Sequence, residues 1–379
     1  MLSKERKDIF MIRKFEVENF KGFKDKLVFD LTAGKYGFNQ NIVVNGIVNK
    51  AIVYGKNGVG KSTLGIAMFD IVRHLTDKER MNAMYLRNYI NLDSESEFAT
   101  FRYFFKFGND EVAYEYKKKD PDNLICEKLT VNGKILIDYD YFNVKNRYID
   151  NGLAGNLNIE LVDNKLSVIK YIYRNTPTDM SSPVTKMMRF CDNMLWYRGL
   201  SEGNSYCGFS NGGASLVEML YESGKIHEFE RFLKSNGLDY ELKFISNNGN
   251  HELVAVFNDG KKMAPFVSLA STGTMALFLF YIWSIKSFDK ISFLFIDEFD
   301  AFFHYESAED IVKRLNENIS FQTVLTSHNT YLMQNKLTRP DCCYIMTDNK
   351  IRSLFNSTKK EIREAHNLEK MYVNGAFNE

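Results

Sequence analysis

Eight consecutive residues constrain this chain more than any others. Gly55-Lys56-Asn57-Gly58-Val59-Gly60-Lys61-Ser62 fits the pattern G-x-x-x-x-G-K-S. Glycines at these positions let backbone N–H groups turn inward and cradle phosphate oxygens. Lys61 supplies a mobile ammonium for β- and γ-phosphates, and the Ser62 hydroxyl suits Mg2+. The pattern carries this meaning only between a strand and a helix. That context is met. Residues 51–54 are a short apolar run, and Leu64, Met68, Ile71 and Leu75 recur at helical spacing over 63–75. The start of that helix turns its positive end toward the same anion. The candidate nucleotide-binding residues are Gly55, Lys56, Asn57, Gly58, Val59, Gly60, Lys61, Ser62 and Thr63.

A second feature lies far along the chain. Phe293-Leu294-Phe295-Ile296 is followed by Asp297-Glu298. An apolar run of this kind reads as a strand buried on both faces of a parallel sheet. Its C-terminal edge, where ligands of open α/β sheets sit, then carries both carboxylates. Asp297 is the candidate Mg2+ ligand beside Ser62. Glu298 is the candidate for positioning or deprotonating an attacking water. Asp297 follows Lys61 by 236 residues, so a large insertion is expected between the two motifs.

The rest of the chain supports an α/β reading. At about 150 residues per domain, 379 residues suggest two domains, or one domain with a large insertion. Apolar alternation at 12–17 and 27–29, a compact run at 42–44, and stretches 98–107, 112–116 and 124–137 read as strands. Asn132-Gly133 reads as a hairpin turn. Helices are expected at 184–196 and 226–236, with a glycine- and serine-rich loop at 203–213. A hairpin of 252–257 and 262–266 turns at Asn258-Asp259-Gly260. A helix at 274–286, a strand at 291–296, a helix at 308–319 and a strand at 323–326 close the pattern. Lys117-Lys118-Lys119 reads as a solvated strand end. No repeat or heptad run is present, which excludes a long coiled-coil arm.

Composition limits the function classes. A net charge of +1 argues against a strongly basic nucleic-acid binder, though not against a local basic stripe. The longest apolar run, 275–285, is far shorter than the about 20 residues a bilayer span needs. The N-terminus lacks the apolar stretch of a signal peptide. Five cysteines in no metal-binding pattern fit a reducing compartment, so a cytoplasmic location without membrane contact is expected.

Together these motifs resemble the ATP-binding-cassette (ABC) type of P-loop ATPase. More narrowly, they resemble its soluble branch of RecF-like, SMC-like and OLD-like ATPases. Ile12-Arg13-Lys14-Phe15-Glu16-Val17-Glu18-Asn19-Phe20-Lys21-Gly22-Phe23 resembles the N-terminal strand of that branch. Phe266-Val267-Ser268-Leu269-Ala270-Ser271-Thr272-Gly273-Thr274 sits before a helix, and Gly273 lies 24 residues ahead of Asp297. This is the family's place for its signature motif. Ser271 and Gly273 match the Ser and second Gly of L-S-G-G-Q, while Ala270 and Thr274 depart from it. The same residues would also serve as a plain helix N-cap. His328, in Thr326-Ser327-His328-Asn329, resembles the family's switch histidine. Asp300 to His304 occupies the place of the D-loop, with no chemistry assigned to His304. Residues 367–377 resemble the end of stand-alone ATPases of prokaryotic anti-phage systems.

The resemblance implies an α/β P-loop fold of ABC type with an antiparallel β-subdomain and an inserted mixed α/β lid. The ATPase core is expected at 1–137 and 251–379, and the lid, or partner-binding region, at 138–250. ATP and Mg2+ are the implied cofactors, with Ser62 and Asp297 at the metal and Glu298 and His328 catalytic. Ser271 and Gly273 would complete the site across a homodimer or higher oligomer. Only 51 residues follow His328, so no C-terminal nuclease domain of the OLD kind is expected. The implied function is a slow ATPase switch that controls a separate effector, a nuclease or toxin, in anti-phage defence. The alternative is a RecF-like DNA-repair ATPase that binds nucleic acid through its lid.

Overall fold

A computed structural model describes residues 9–78, 87–155, 157–159, 163–177, 179–198, 206–208, 215–247 and 250–377. Two seven-stranded sheets organise it. The first is mixed, in the order Tyr206–Gly208, Met194–Arg198, Phe293–Asp297, Gln322–Ser327, Lys50–Tyr54, Cys343–Thr347, Lys350–Ser353. Its five central strands run parallel, and the two edge strands are antiparallel. Lys50–Tyr54, Phe293–Asp297 and Gln322–Ser327 are buried at every position, as apolar runs covered on both faces must be.

Alternate side chains of these strands feed two cores. Val53, Phe293, Phe295 and Val324 face one core, which also takes Leu64, Met68, Ile71 and the aromatic face of the second sheet. Ile52, Tyr54, Leu294, Ile296 and Leu325 face the other, built from the helices Ile226–Ser235, Thr272–Ser287 and Tyr305–Glu317. The second sheet is wholly antiparallel, in the order Arg147–Ile149, Lys134–Asp140, Leu124–Val131, Asp110–Lys118, Ala99–Phe107, Phe10–Glu18, Leu27–Asp30. The buried Gln322 side chain staples the two sheets. It accepts from the Ile12 N–H at 2.9 Å and donates to the carbonyls of Ile12 and Val48, both at 2.9 Å.

Both expected hairpin turns form, with left-handed backbone at Asn132-Gly133 and at Asn258-Asp259-Gly260. Other details differ from expectation. The helix expected over 63–75 is two helices, Lys61–Met68 and Asp70–Leu75, broken at Phe69. The helix expected over 184–196 ends at Asp192, and Met194–Arg198 is a strand beside Phe293–Asp297. Completing a buried parallel sheet outweighs the local helical period there. Part of the stretch 138–250 therefore lies in the sheets: Arg147–Ile149 extends the antiparallel one and Met194–Arg198 the mixed one. Most of the loop expected at 203–213 falls outside the described residues, though Tyr206–Gly208 forms a short edge strand.

Lys118 is not solvated. It is fully buried, and its Nζ lies 2.9 Å from Asp70 Oδ1. Among the described residues, no helix is long and apolar enough to cross a membrane.

Candidate nucleotide site

The phosphate loop leaves the buried strand Lys50–Tyr54 and enters the helix that begins at Lys61. Gly58 and Gly60 have φ of +83° and +104°, a backbone that side chains resist. At Gly60 a Cβ would also stand 2.8 Å from the Phe23 ring, so the F-K-G-F segment floors the loop. Gly65 is a second close approach, where a Cβ would lie 2.6 Å from Phe295. That contact seats the helix directly on the acidic strand. Lys56, Asn57 and Gly58 are exposed at the tip of the loop, and Val59 is half-buried. Lys61 Nζ donates to the carbonyls of Gly55 at 2.6 Å and Lys56 at 3.0 Å. Burial lowers its pKa, while Asp297, Glu298 and Asp300 pull it back up.

The acid pair sits at the C-terminal edge of the same sheet. Asp297 is fully buried, and its Oδ1 accepts from the Thr326 hydroxyl at 2.7 Å. Burial raises its pKa. The Ser62 and Thr326 hydroxyls and Arg198 work against that rise. Asp297 Oδ2 is buried without a hydrogen-bond donor. An orphaned carboxylate oxygen beside the Ser62 hydroxyl has the chemistry of a hard-cation ligand set, so Ser62 and Asp297 fit Mg2+. Glu298 follows with φ of +51°, and its N–H donates to Thr326 Oγ1 at 2.8 Å. The Glu298 carboxylate is partly exposed, in contrast to the buried Asp297.

His328 is exposed and follows Ser327 at the end of the strand between the phosphate-loop and acidic strands. It therefore emerges at the shared edge, between Gly55 and Asp297. Ser271 caps the helix Thr272–Ser287. It accepts from the Thr274 N–H at 3.1 Å and shares a 2.9 Å bond with the Thr274 hydroxyl. A Cβ on Gly273 would stand 2.6 Å from the Phe302 carbonyl, so the D-loop segment lies directly on this helix start.

A family model described as "AAA domain, putative AbiEii toxin, Type IV TA system" matches residues 209–334, the stretch that holds Ser271, Asp297, Glu298 and His328. Over that stretch the chain is similar to this AAA-domain family. No curated protein matches the chain. Solved structures similar to this chain include the SMC head domain from Thermotoga maritima, 14% identical, covering 90% of this chain and 98% of that one, with a TM-score of 0.41. An SMC head domain with an extended coiled coil, bound to the C-terminal domain of ScpA derived from Pyrococcus furiosus, is 15% identical. It covers 91% and 96% of the two chains, with a TM-score of 0.45. The recombination mediator RecF with ATP is 13% identical and covers 92% and 100%, with a TM-score of 0.43.

One residue of the candidate site, Arg198, was not expected from the sequence, and another, Asp300, was placed there only by the D-loop resemblance. Arg198 ends the strand next to the acidic one and is paired in register with Asp297. Its Nη2 lies 3.0 Å from Glu298 Oε1 and its Nε 3.5 Å from Asp297 Oδ2. Asp300 is buried and gathers three donors on Oδ2: Ser327 Oγ at 2.7 Å, Asn329 Nδ2 at 3.0 Å and Tyr331 OH at 3.1 Å. It thereby ties the D-loop to both sides of the His328 loop. One sequence signal for Arg198 existed. Met194-Leu195-Trp196-Tyr197 followed by a charge repeats the pattern of Phe293 to Asp297.

Proposed function

We propose that this protein is an ATP-binding, slowly ATP-hydrolysing switch subunit that oligomerises around ATP and controls a separate effector protein. The observation behind this reading is the meeting of Lys61 and Ser62 with Asp297 and Glu298 at one sheet edge. The backbone of Gly55 to Thr63 cradles the phosphates, and Lys61 leaves its loop carbonyls to pair with them. Ser62 and Asp297 would hold Mg2+, which would neutralise charge building on the phosphate oxygens. Glu298 positions and deprotonates the attacking water, and His328 senses the terminal phosphate. Ser271 and Gly273 of a second protomer close the site, so the γ-phosphate acts as an adhesive between subunits and its loss loosens them. Residues of 138–250 outside the two sheets serve as the partner-facing region.

The effector is a nuclease or toxin in anti-phage defence, acting in the cytoplasm. This part of the reading rests on the OLD-like resemblance and on the matching model's description as a toxin–antitoxin component. Co-purification tests it. Tagged Glu298→Gln protein, kept in ATP and Mg2+, is recovered from its own host. Its companions are then identified by mass spectrometry and nuclease treatment. A stoichiometric second protein is expected. Nucleic acid without a protein partner would overturn the effector reading and favour the RecF-like alternative.

A further inference from the structure

The acid pair has a cation of its own. Asp297 and Glu298 are adjacent carboxylates at the end of one buried strand. Arg198 spans both, because its strand runs parallel to the acidic strand and brings residue 198 level with residue 297. The planar guanidinium presents several N–H groups at once and can serve two carboxylates where a point charge serves one. Its side chain is 21% exposed, so the pairing is shielded from most solvent screening.

The geometry at Asp297 matters most. Oδ1 is occupied by the Thr326 hydroxyl at 2.7 Å. Oδ2 carries no hydrogen bond and faces Arg198 Nε at 3.5 Å, beyond a good hydrogen bond. The contact at Glu298 is shorter, at 3.0 Å. Oδ2 is the Asp297 oxygen left open to a divalent cation that Ser62 and Asp297 would hold, and a guanidinium beside the same carboxylate would repel such a cation.

We propose that Arg198 is a built-in competitor of the magnesium ion: a positioning residue that neutralises the acid pair between nucleotide cycles and yields Asp297 when Mg-nucleotide binds, while keeping its hold on Glu298. The proposal rests on the ATPase reading above. It makes two separate statements: Arg198 weakens magnesium binding, and it orients the water-activating carboxylate.

The test uses the full chain and a fluorescent ADP analogue, so that no turnover intervenes. Kd is measured with Mg2+ and again with EDTA for wild type, Arg198→Gln and Arg198→Lys. Arg198→Gln is expected to bind about tenfold more tightly in Mg2+, a small part of what a unit charge exerts at this distance. In EDTA its affinity should stay within about twofold of wild type, on the same ground that no phosphate contact is lost. Arg198→Lys should return the magnesium dependence toward wild type. Should Arg198→Gln fold poorly with Asp297 uncompensated, the double variant Arg198→Gln/Glu298→Gln removes one charge of each sign, and the same tightening in Mg2+ is expected. Unchanged Kd values in both buffers would overturn the proposal. Weaker binding in both buffers would also overturn it, by assigning Arg198 to the phosphates. A wild-type chain that binds the analogue in neither buffer would instead refute the ATPase reading.

Discussion

At the scale of single residues, the site depends on a few positions with no tolerance. Gly60 combines φ of +104° with a Cβ position 2.8 Å from Phe23. Gly60→Ala should therefore cost about 1–3 kcal/mol in backbone strain alone and distort the phosphate cradle. We expect at least a tenfold loss of ATP affinity in a binding titration, with far-UV circular dichroism unchanged; wild-type affinity would show that the loop tolerates a side chain here. Lys61 and Ser62 were legible because eight contiguous residues carry their own context. Asp297 and Glu298 were legible because a buried strand announces its end by a switch from apolar to acidic residues. Arg198 was not, and the three donors gathered on Asp300 were not, although its D-loop place was. Their meaning depends on which strands become neighbours across about a hundred residues and on which loop folds back, and local pattern encodes neither.

At the scale of elements, the same division holds. Both hairpins followed from asparagine–glycine and aspartate–glycine turns, and the acidic strand from its apolar run. The helix expected over 184–196 ends early because an amphipathic helix abuts a buried strand with a break of only one residue, Asn193. The charge of Lys118 was misread because its partner, Asp70, starts a helix 48 residues earlier in the chain. That pair sets a prediction. Asp70 also accepts from Tyr89 and Tyr116 hydroxyls, each at 2.8 Å. Asp70→Asn leaves a buried, unpaired ammonium and should lower unfolding stability by about 3–5 kcal/mol. Adding Lys118→Met should restore much of the loss in denaturant titrations; a double variant no better than the single one would mean that the ion pair is not what holds this junction. His74, packed between Asp70 and Tyr114, adds a pH signature. Burial first, and then Lys118, hold its pKa well below the ordinary histidine range near 6.5. The unfolded chain therefore takes up the proton first, so native stability should fall as pH drops below about 6.5, by up to about 1.4 kcal/mol per unit. His74→Gln, which can keep the contact to the Tyr114 hydroxyl, should flatten that limb between pH 6.5 and 5.5. An unchanged slope would assign the acid sensitivity elsewhere.

At the scale of the whole molecule, the mixed sheet acts as a partition between two cores and brings Lys61, Ser62, Asp297, Glu298 and His328 to one edge. The antiparallel sheet is pinned to it by Gln322, and the D-loop connects the acid pair, the His328 loop and the start of the Ser271 helix. A change at the phosphates thus has a short physical route to the surface that carries Ser271 and Gly273. This coupling is what a nucleotide-driven switch requires. The measurement that tests the central claim most directly is ATP retention by Glu298→Gln protein in Mg2+, read by gel filtration with radiolabelled ATP alongside Lys61→Ala. The account predicts about one ATP per protomer travelling with a species larger than the monomer, a state lost on removal of Mg2+ and absent in Lys61→Ala. If Glu298→Gln protein, correctly folded, retains no ATP, or if Lys61→Ala retains as much, then the residues gathered at this edge are not a nucleotide site.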